Sequence, residues 1–407
     1  MRINICLIHI DPFSPKKPAD AAVFEIYGKG FPSFGHNVTW ITSSANKEIK
    51  IEEIIFKDIH IYTIPKLALC FPLNFFNSIN FYIREYKLLI DLLKKERFDI
   101  IQVRDDVFSS LLVSFIKKIY KIPFVFQYSF PKEVYKFKKN NNLYLFCIGL
   151  FENFILKYIF CKADLIFPIS KWMEEELIKK GIPKSKMMTL PMGVNPQLFH
   201  LSIDGAKIRQ KYGLESTKII LYIGTMDQLR KLDMIIHAFS KIKGKCKYNF
   251  KLLMVGDGND KSNLEKLSKS LGLENDILFT GEIPYFDVPN YIAASDICLC
   301  PVPPLSIYKV SSPTKLFEYM AMKKPVLANE EIPEQKEVIQ ESGGGLLVEF
   351  NEKSFAEGMM KLFNNPETAK MMGERGYEWV VENRSYDNMA REVERKYYEI
   401  LETYNKS

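Results

Sequence analysis

The chain has 407 residues, 47% of them apolar and 26% charged, with a formal net charge of +7. That is an ordinary globular composition, and the length predicts two domains of about 200 residues each in place of a single core. Seven cysteines with no C-x-x-C pair and five scattered histidines argue against a disulfide framework or a metal cluster, and predict reduced cytosolic thiols.

Arg2 leads directly into an apolar run, residues 3–10, that is too short to span a membrane. It reads as a buried first strand, with no signal peptide. Short apolar runs then alternate with amphipathic stretches, the pattern of doubly wound α/β domains on buried parallel sheets. The expected strands of the first half are residues 3–9, 37–42, 99–103, 123–128 and 164–169. The longest apolar stretch, residues 143–160, is interrupted by Glu152, Asn153 and Lys157 and is expected to be a core or interfacial helix. Residues 191–213 are polar and turn-rich and read as an interdomain linker. Strands at 218–224, 251–255, 276–279, 296–300, 325–328 and 345–348 follow, then a long amphipathic helix at 386–401. Cys298 and Cys300 share one face of a strand and read as packing. The first 195 residues hold 28 Lys and Arg against 19 Asp and Glu, and the remainder 28 against 30. The basic first half suits an anionic partner. No helix-turn-helix, zinc or aromatic RNA-binding signature is visible, so nucleic acid is not expected.

Several strands of the second half end in glycine. Gly224-Thr225 follows the strand at 218–224, and Gly256-Asp257-Gly258 follows that at 251–255. Ligands of open α/β sheets bind at the carboxyl ends of strands, where glycine lets backbone approach a phosphate; glycine there also serves turn geometry alone. The full G-x-G-x-x-G pattern is absent, which argues against a nicotinamide or flavin enzyme. In the segment 311–321, Ser312 suits a helix N-cap and Pro313 the first helical position. The amides of Thr314 and Lys315 then lie in the first turn, where they can grip a diphosphate. Glu318 shares their helix face and suits a ribose diol. A plain capped helix with Glu318 exposed meets the same pattern. Arg230-Lys231, beside the Gly224 turn, suits a leaving diphosphate. The alternative there is a solvated basic pair at a helix start.

Taken in order, these motifs resemble the retaining glycosyltransferases of family 4. The stretches that carry the resemblance are Ala163-Asp164, Leu190-Pro191-Met192-Gly193-Val194-Asn195, Tyr222-Ile223-Gly224-Thr225, Val255-Gly256-Asp257-Gly258, Phe279-Thr280-Gly281, Ala294-Ser295-Asp296, and Ser312 to Ala321 followed by Lys324-Pro325-Val326. The resemblance implies the α/β GT-B fold: two Rossmann-like doubly wound parallel-sheet domains facing a central cleft. Residues 1–195 would bind the acceptor and 196–385 the donor, with the helix at 386–407 crossing back. It implies transfer of a sugar from a nucleoside diphosphate sugar to a hydroxyl acceptor, a lipid-linked or growing glycan of cell-surface polysaccharide synthesis, without metal or other cofactor. Arg230, Lys231 and Glu318 would carry the chemistry. Gly224, Thr225, Gly256, Gly281, Ile283, Thr314, Lys315 and Glu318 would bind the donor, with Gly281 and Ile283 beside the base. Strand-end position offers Asp11, Arg104, Asp105 and Tyr128 for the acceptor. Three departures stand out. Val310 occupies the place of the first glutamate of the family's pair. Gln127-Tyr128 replaces a usual histidine. A segment at 15–20 without glycine replaces a Gly-Gly loop. A sugar-nucleotide epimerase of the same fold, or a non-catalytic sugar-nucleotide-binding subunit, are the alternatives from other classes.

The expected location is cytoplasmic, with peripheral contact at the inner face of an anionic membrane. Lys132, Lys136, Lys138 and Lys139 precede the apolar stretch 143–160, and Phe71, Phe75, Phe76, Phe81 and Tyr82 precede Arg84 and Lys87. Cations beside aromatic apolar residues suit an interfacial segment. Core helices with solvated lysines between them are the competing account.

Overall fold

Every apolar run expected as a strand forms one. The computed structural model describes all residues except 13–20, 45–49, 57–58, 66–72, 132–142, 245–248 and 406–407, and only the backbone of 73–77, 143–152 and 405. The chain divides into two units, Met1–Pro191 with Tyr386–Ser407, and Met192–Ser385.

Unit 1 holds seven strands: β1 (Asn4–Ile8), β2 (Asn37–Ser44), β3 (Glu52–Phe56), β4 (Ile59–Pro65), β5 (Ile100–Arg104), β6 (Phe124–Tyr128) and β7 (Leu165–Pro168), in the order β3-β4-β2-β1-β5-β6-β7. All pairings are parallel except β3 with β4, an antiparallel edge hairpin. The hairpin adds two strands to those expected. Its signal is the period-2 alternation of β4, where Ile59, Ile61 and Thr63 are buried while His60 is exposed and Tyr62 half-buried. Without β3 the order is that of a doubly wound sheet, and it reverses between β1 and β5. Helices α1 (Leu73–Lys95), α2 (Val107–Tyr120) and α3 (Leu143–Lys162) cover the sheet, α1 against α2 and α2 against α3. Asp106 caps α2, its carboxylate accepting from the Ser109 amide at 2.7 Å.

The last helix, Tyr386–Asn405, belongs to this unit. Tyr397 is fully buried and its hydroxyl donates to Gln102 on β5, which in turn donates to Gln127 on β6 at 3.0 Å. A Cβ on Gly30 would lie 2.8 Å from the Ala390 Cβ, so a glycine there lets the helix seat.

Unit 2 has six parallel strands: β8 (Lys218–Ile223), β9 (Phe250–Val255), β10 (Ile277–Gly281), β11 (Ile297–Cys300), β12 (Val326–Asn329) and β13 (Gly345–Val348), in the order β10-β9-β8-β11-β12-β13. The order reverses between β8 and β11. Residues 191–213 are not all linker. The unit begins at Met192, and helix α4 (Ala206–Tyr212) packs against the helix Val288–Ala294. Arg209 of α4 pairs with Asp296 at 2.8 Å, and Gly205 lies against the Ala294 backbone so closely that a Cβ would overlap it. Three further helices position the site: α5 (Asp233–Ile242), α6 (Ser306–Lys309) and α7 (Thr314–Ala321). Apolar residues of α5, among them Ile235 and Phe239, share one core with Ile220, Leu252 and Leu299 of the sheet.

Candidate functional site

The reversal between β8 and β11 brings Gly224, Cys300 and the start of α7 to one edge of the unit 2 sheet. Helix α7 starts one residue later than expected, at Thr314, with Pro313 at its N-cap and no side-chain cap. Ser312 is used elsewhere: its hydroxyl accepts from the Met192 amide and donates to Glu334, each at 2.9 Å. The amides of Thr314 and Lys315 still fall in the first turn, where a helix has no backbone partners for them. The Tyr319 hydroxyl accepts from the Ile223 amide at 3.0 Å and ties α7 to the end of β8.

Three ionisable side chains meet here. The Lys315 ammonium lies 4.0 Å from the centroid of the Tyr222 ring. A Cβ on Gly224 would come within 2.7 Å of it, so the glycine makes room for the lysine. The Arg230 guanidinium lies 4.6 Å from the centroid of the Tyr308 ring on α6. Glu318 is buried on α7, not exposed as on a plain capped helix. Burial pushes its carboxyl up to about 7, against the pull of Lys315. Burial likewise lowers Lys315 to about 8, helped by Arg230. Charged groups withdrawn from water beside a helix N-terminus fit an anionic ligand that completes their pairing.

The basic pair divides. Arg230 closes a 3-10 turn, Gln228–Arg230, and faces the cluster, whereas Lys231 turns to a left-handed φ of 48° and is exposed. The second cation beside Arg230 is therefore the Lys315 side chain, of which only the amide was expected. Its signal in the sequence was faint: a lysine one turn before Glu318.

The expected glycines serve the protein's own geometry. The amides of Gly224 and Gly256 donate to the Val255 and Gly281 carbonyls at 2.9 and 3.0 Å. A Cβ on Gly256, at a φ of +134°, would overlap the Gly224 carbonyl. The Gly281 carbonyl also accepts from the Thr280 hydroxyl at 3.0 Å, and Ile283 two residues on is half-buried. Thr225 is exposed beside Gly224.

The four residues expected at the acceptor lie at the carboxyl ends of β1, β5 and β6 in unit 1, but differ in what they present. The Asp11 side chain is 63% exposed and pairs with buried His9 at 3.2 Å. His9, absent from the expected set, is the one histidine at this sheet end. Arg104 is buried, 3.5 Å from the Asp105 carboxylate. Asp105 sits at a left-handed φ of 51° and accepts from the Ser129 and Phe130 amides at 2.5 and 3.2 Å, so it fastens the turn after β6. Tyr128 is a core residue between the rings of Phe126 and Phe160. Position at a strand end gave where these residues sit in the sheet, but not which way each side chain turns.

Comparison with known proteins adds to this geometry. The family model described as "Glycosyl transferases group 1" matches residues 204–379, and that described as "Glycosyltransferase Family 4" matches residues 25–198. The uncharacterized glycosyltransferase MJ1069 of Methanocaldococcus jannaschii is 26% identical over 354 residues, 84% of this chain and 85% of that protein. The N-acetyl-alpha-D-glucosaminyl L-malate synthase of Bacillus anthracis is 26% identical over 251 residues, 61% of this chain and 63% of that protein. Among solved structures, the sucrose-phosphate synthase from Thermosynechococcus elongatus superposes with a TM-score of 0.79 at 18% identity, over 99% of this chain and 100% of that one. Anabaena Alr3699/HepE in complex with UDP-glucose does so with a TM-score of 0.71 at 14% identity, over 97% and 99%. These likenesses establish the GT-B fold.

Proposed function

Because the chain belongs to the group 1 glycosyltransferases, we propose that it moves a sugar from a nucleoside diphosphate sugar held by unit 2 to a hydroxyl of an anionic, lipid-linked glycan acceptor bound by unit 1, with retention at the anomeric carbon. The observation that carries the donor half is the meeting of Arg230, Lys315 and Glu318 at the switch point of the unit 2 sheet. Arg230, the Lys315 ammonium and the first-turn amides of α7 receive the diphosphate, and stabilise it as its charge grows on leaving. Glu318 accepts from the ribose hydroxyls. Protein cations meet the leaving charge in this scheme, so no metal step is assigned. Retention follows the family resemblance.

The acceptor half rests on the excess of cations in the first 195 residues, and on Asp11 as the exposed carboxylate beside His9. An anionic acceptor is consistent with a relative named for the transfer of a sugar to L-malate. A fold neighbour bound to UDP-glucose makes UDP the first nucleotide to try. The expected place of work is the cytoplasmic face of a membrane. Among the described residues no helix is long and apolar enough to cross one.

The test incubates the protein with UDP-, GDP-, ADP- and CMP-linked sugars and follows slow hydrolysis without acceptor, then transfer with lipid-linked glycans. Release of a free sugar of the original anomeric configuration supports the proposal. An epimerised nucleotide sugar, or binding with no turnover of any donor, would overturn it.

A further inference from the structure

The aromatic cluster expected to face a membrane from α1 turns inward where it is described. Phe81 is buried, and the Tyr82 hydroxyl donates to Asp106 at 3.1 Å. The four lysines from Lys132 to Lys139, and Phe71, lie outside the described residues. Helix α3 is partly core as well, with Ile155, Leu156, Ile159 and Phe160 buried. Exposed apolar side chains remain on α1, at Ile79, Ile83 and Tyr86, and more exposed ones line the seam between α2 and α3.

On α2, Phe115 and Ile119 are one turn apart and are 53% and 74% exposed. On α3, Phe154 is 73% exposed and Tyr158 lies one turn on. The Phe115 and Tyr158 rings lie 6.4 Å apart and join the two stripes. Soluble proteins rarely leave a contiguous patch of large apolar side chains in water without a partner for it. Within the turns that carry the patch the charged residues are lysines. Lys118 and Lys157 are exposed, and no carboxylate occurs from Val107 to Tyr120 or from Asn153 to Lys162. Beside Phe154 a cavity of about 400 Å³ is lined by Phe160, Ile182, Lys157 and Lys180. Asn153 and Phe154 complete its lining, so three apolar side chains share it with two cations and an amide. The patch sits on the later turns of both helices: Phe115 and Ile119 lie about 12 and 18 Å along α2 from its start at the carboxyl end of β5.

We propose that the α2–α3 face of unit 1 docks on an anionic phospholipid surface, with Phe115, Ile119 and Phe154 entering the acyl boundary, Lys118 and Lys157 meeting headgroup phosphates, and an acyl chain taking the cavity beside Phe154. Aromatic rings ringed by lysine are the composition of an interfacial anchor. An apolar protein partner would leave the one-sided lysines without a counterpart. The inference deepens the lipid-linked reading of the acceptor and rests on it for its place in the reaction: docking holds unit 1 at the membrane that carries a lipid-linked acceptor.

The test is co-sedimentation of the full chain with vesicles of phosphatidylcholine alone or with one third phosphatidylglycerol, at low and high salt. The wild type is expected to bind the anionic vesicles at least about tenfold better than the neutral ones, with a salt-resistant remainder. Lys118→Glu with Lys157→Glu removes the preference for anionic lipid. Phe115→Ser with Phe154→Ser removes the salt-resistant remainder. Both doubles keep the thermal shift given by nucleotide, which shows that they are folded. No sedimentation of the wild type, equal binding to neutral vesicles, or unchanged binding by both doubles would overturn the inference. So would a wild-type dimer that the serine double converts to monomer, because a second copy would then cover the patch. A protein that hydrolyses a donor yet ignores vesicles refutes the docking and leaves the transferase reading standing; one that docks but turns over no donor does the reverse.

Discussion

Replacing Lys315 with methionine tests whether the buried cation is there for the ligand. In the free protein its ammonium is held against the Tyr222 ring in the space left by Gly224, and burial lowers its pKa from 10.5 to about 8. A shift of that size marks a destabilised charge, on the order of 1–3 kcal/mol once the water reaching a half-buried group is allowed for. The contact with Tyr222 offsets about 0.5–1 kcal/mol of that. Methionine keeps the stem and removes the charge, so Lys315→Met should melt at the wild-type temperature or a few degrees above it. Nucleotide binding should move the other way. Losing a charge-assisted contact to the diphosphate costs about 1.5–3 kcal/mol, or roughly ten- to 150-fold in Kd. The pH dependence has a definite sign. The depressed pKa means that the free folded state holds fewer protons than the unfolded chain between about 8 and 10.5, so free-protein stability gains from this group as pH rises through that window. A bound diphosphate restores the charge. Affinity for UDP or its equivalent should therefore fall as pH rises through about 8, with proton uptake on binding near that pH, and the variant should show neither. Calorimetry in buffers of different ionisation heat measures both. A folded Lys315→Met protein with wild-type affinity, or one that melts far below the wild type, would refute the reasoning.

Glu318→Gln should weaken nucleotide binding by about 1–3 kcal/mol. Because the wild-type carboxyl sits at about 7, wild-type affinity should decline as pH falls below that value while the glutamine variant stays flat, as measured by the same titration. Arg230→Ala should lower turnover at least about a hundredfold, by analogy with other lost transition-state donors. Lys231→Ala, at an exposed position, should change it by less than about threefold, and a steady-state donor-hydrolysis assay separates the two. Chelation by EDTA should leave the wild-type rate unchanged in that assay, and restoration of a lost rate by magnesium would contradict the scheme. Gly256→Ala forces a Cβ onto the Gly224 carbonyl at a φ of +134°. It should destabilise unit 2 by roughly 2 kcal/mol or more in chemical denaturation.

The sheets were legible because parallel strands buried on both faces read as continuous apolar runs, and eleven of thirteen strands follow from that pattern. The edge hairpin β3–β4 was missed because its glutamates and half-exposed positions break the run. Helix α4 was missed because a polar seven-residue segment resembles a linker; Arg209–Asp296 and packing against the helix Val288–Ala294 hold it, and both depend on tertiary neighbours. At the site, helix spacing put Thr314, Lys315 and Glu318 on one helix, where Lys315 and Glu318 lie close enough to interact. Spacing could not show that Lys315 turns its ammonium across to β8, that Lys231 turns away, or that the amides of Gly224 and Gly256 are already hydrogen-bonded within the chain. Those outcomes are set by φ and by packing between elements far apart in sequence. The same limit hid the α2–α3 patch, since Phe115 and Phe154 become neighbours only when two helices pack.

The measurement that bears most directly on the account is calorimetric titration of the wild type with UDP, GDP, ADP and CMP, repeated with Arg230→Ala and Glu318→Gln. Saturable binding of at least one nucleoside diphosphate, weakened at least about tenfold by each substitution in a folded protein, is the predicted result. Binding of none, or equal binding by the wild type and both variants, would contradict the claim that the donor is held at the switch point of unit 2.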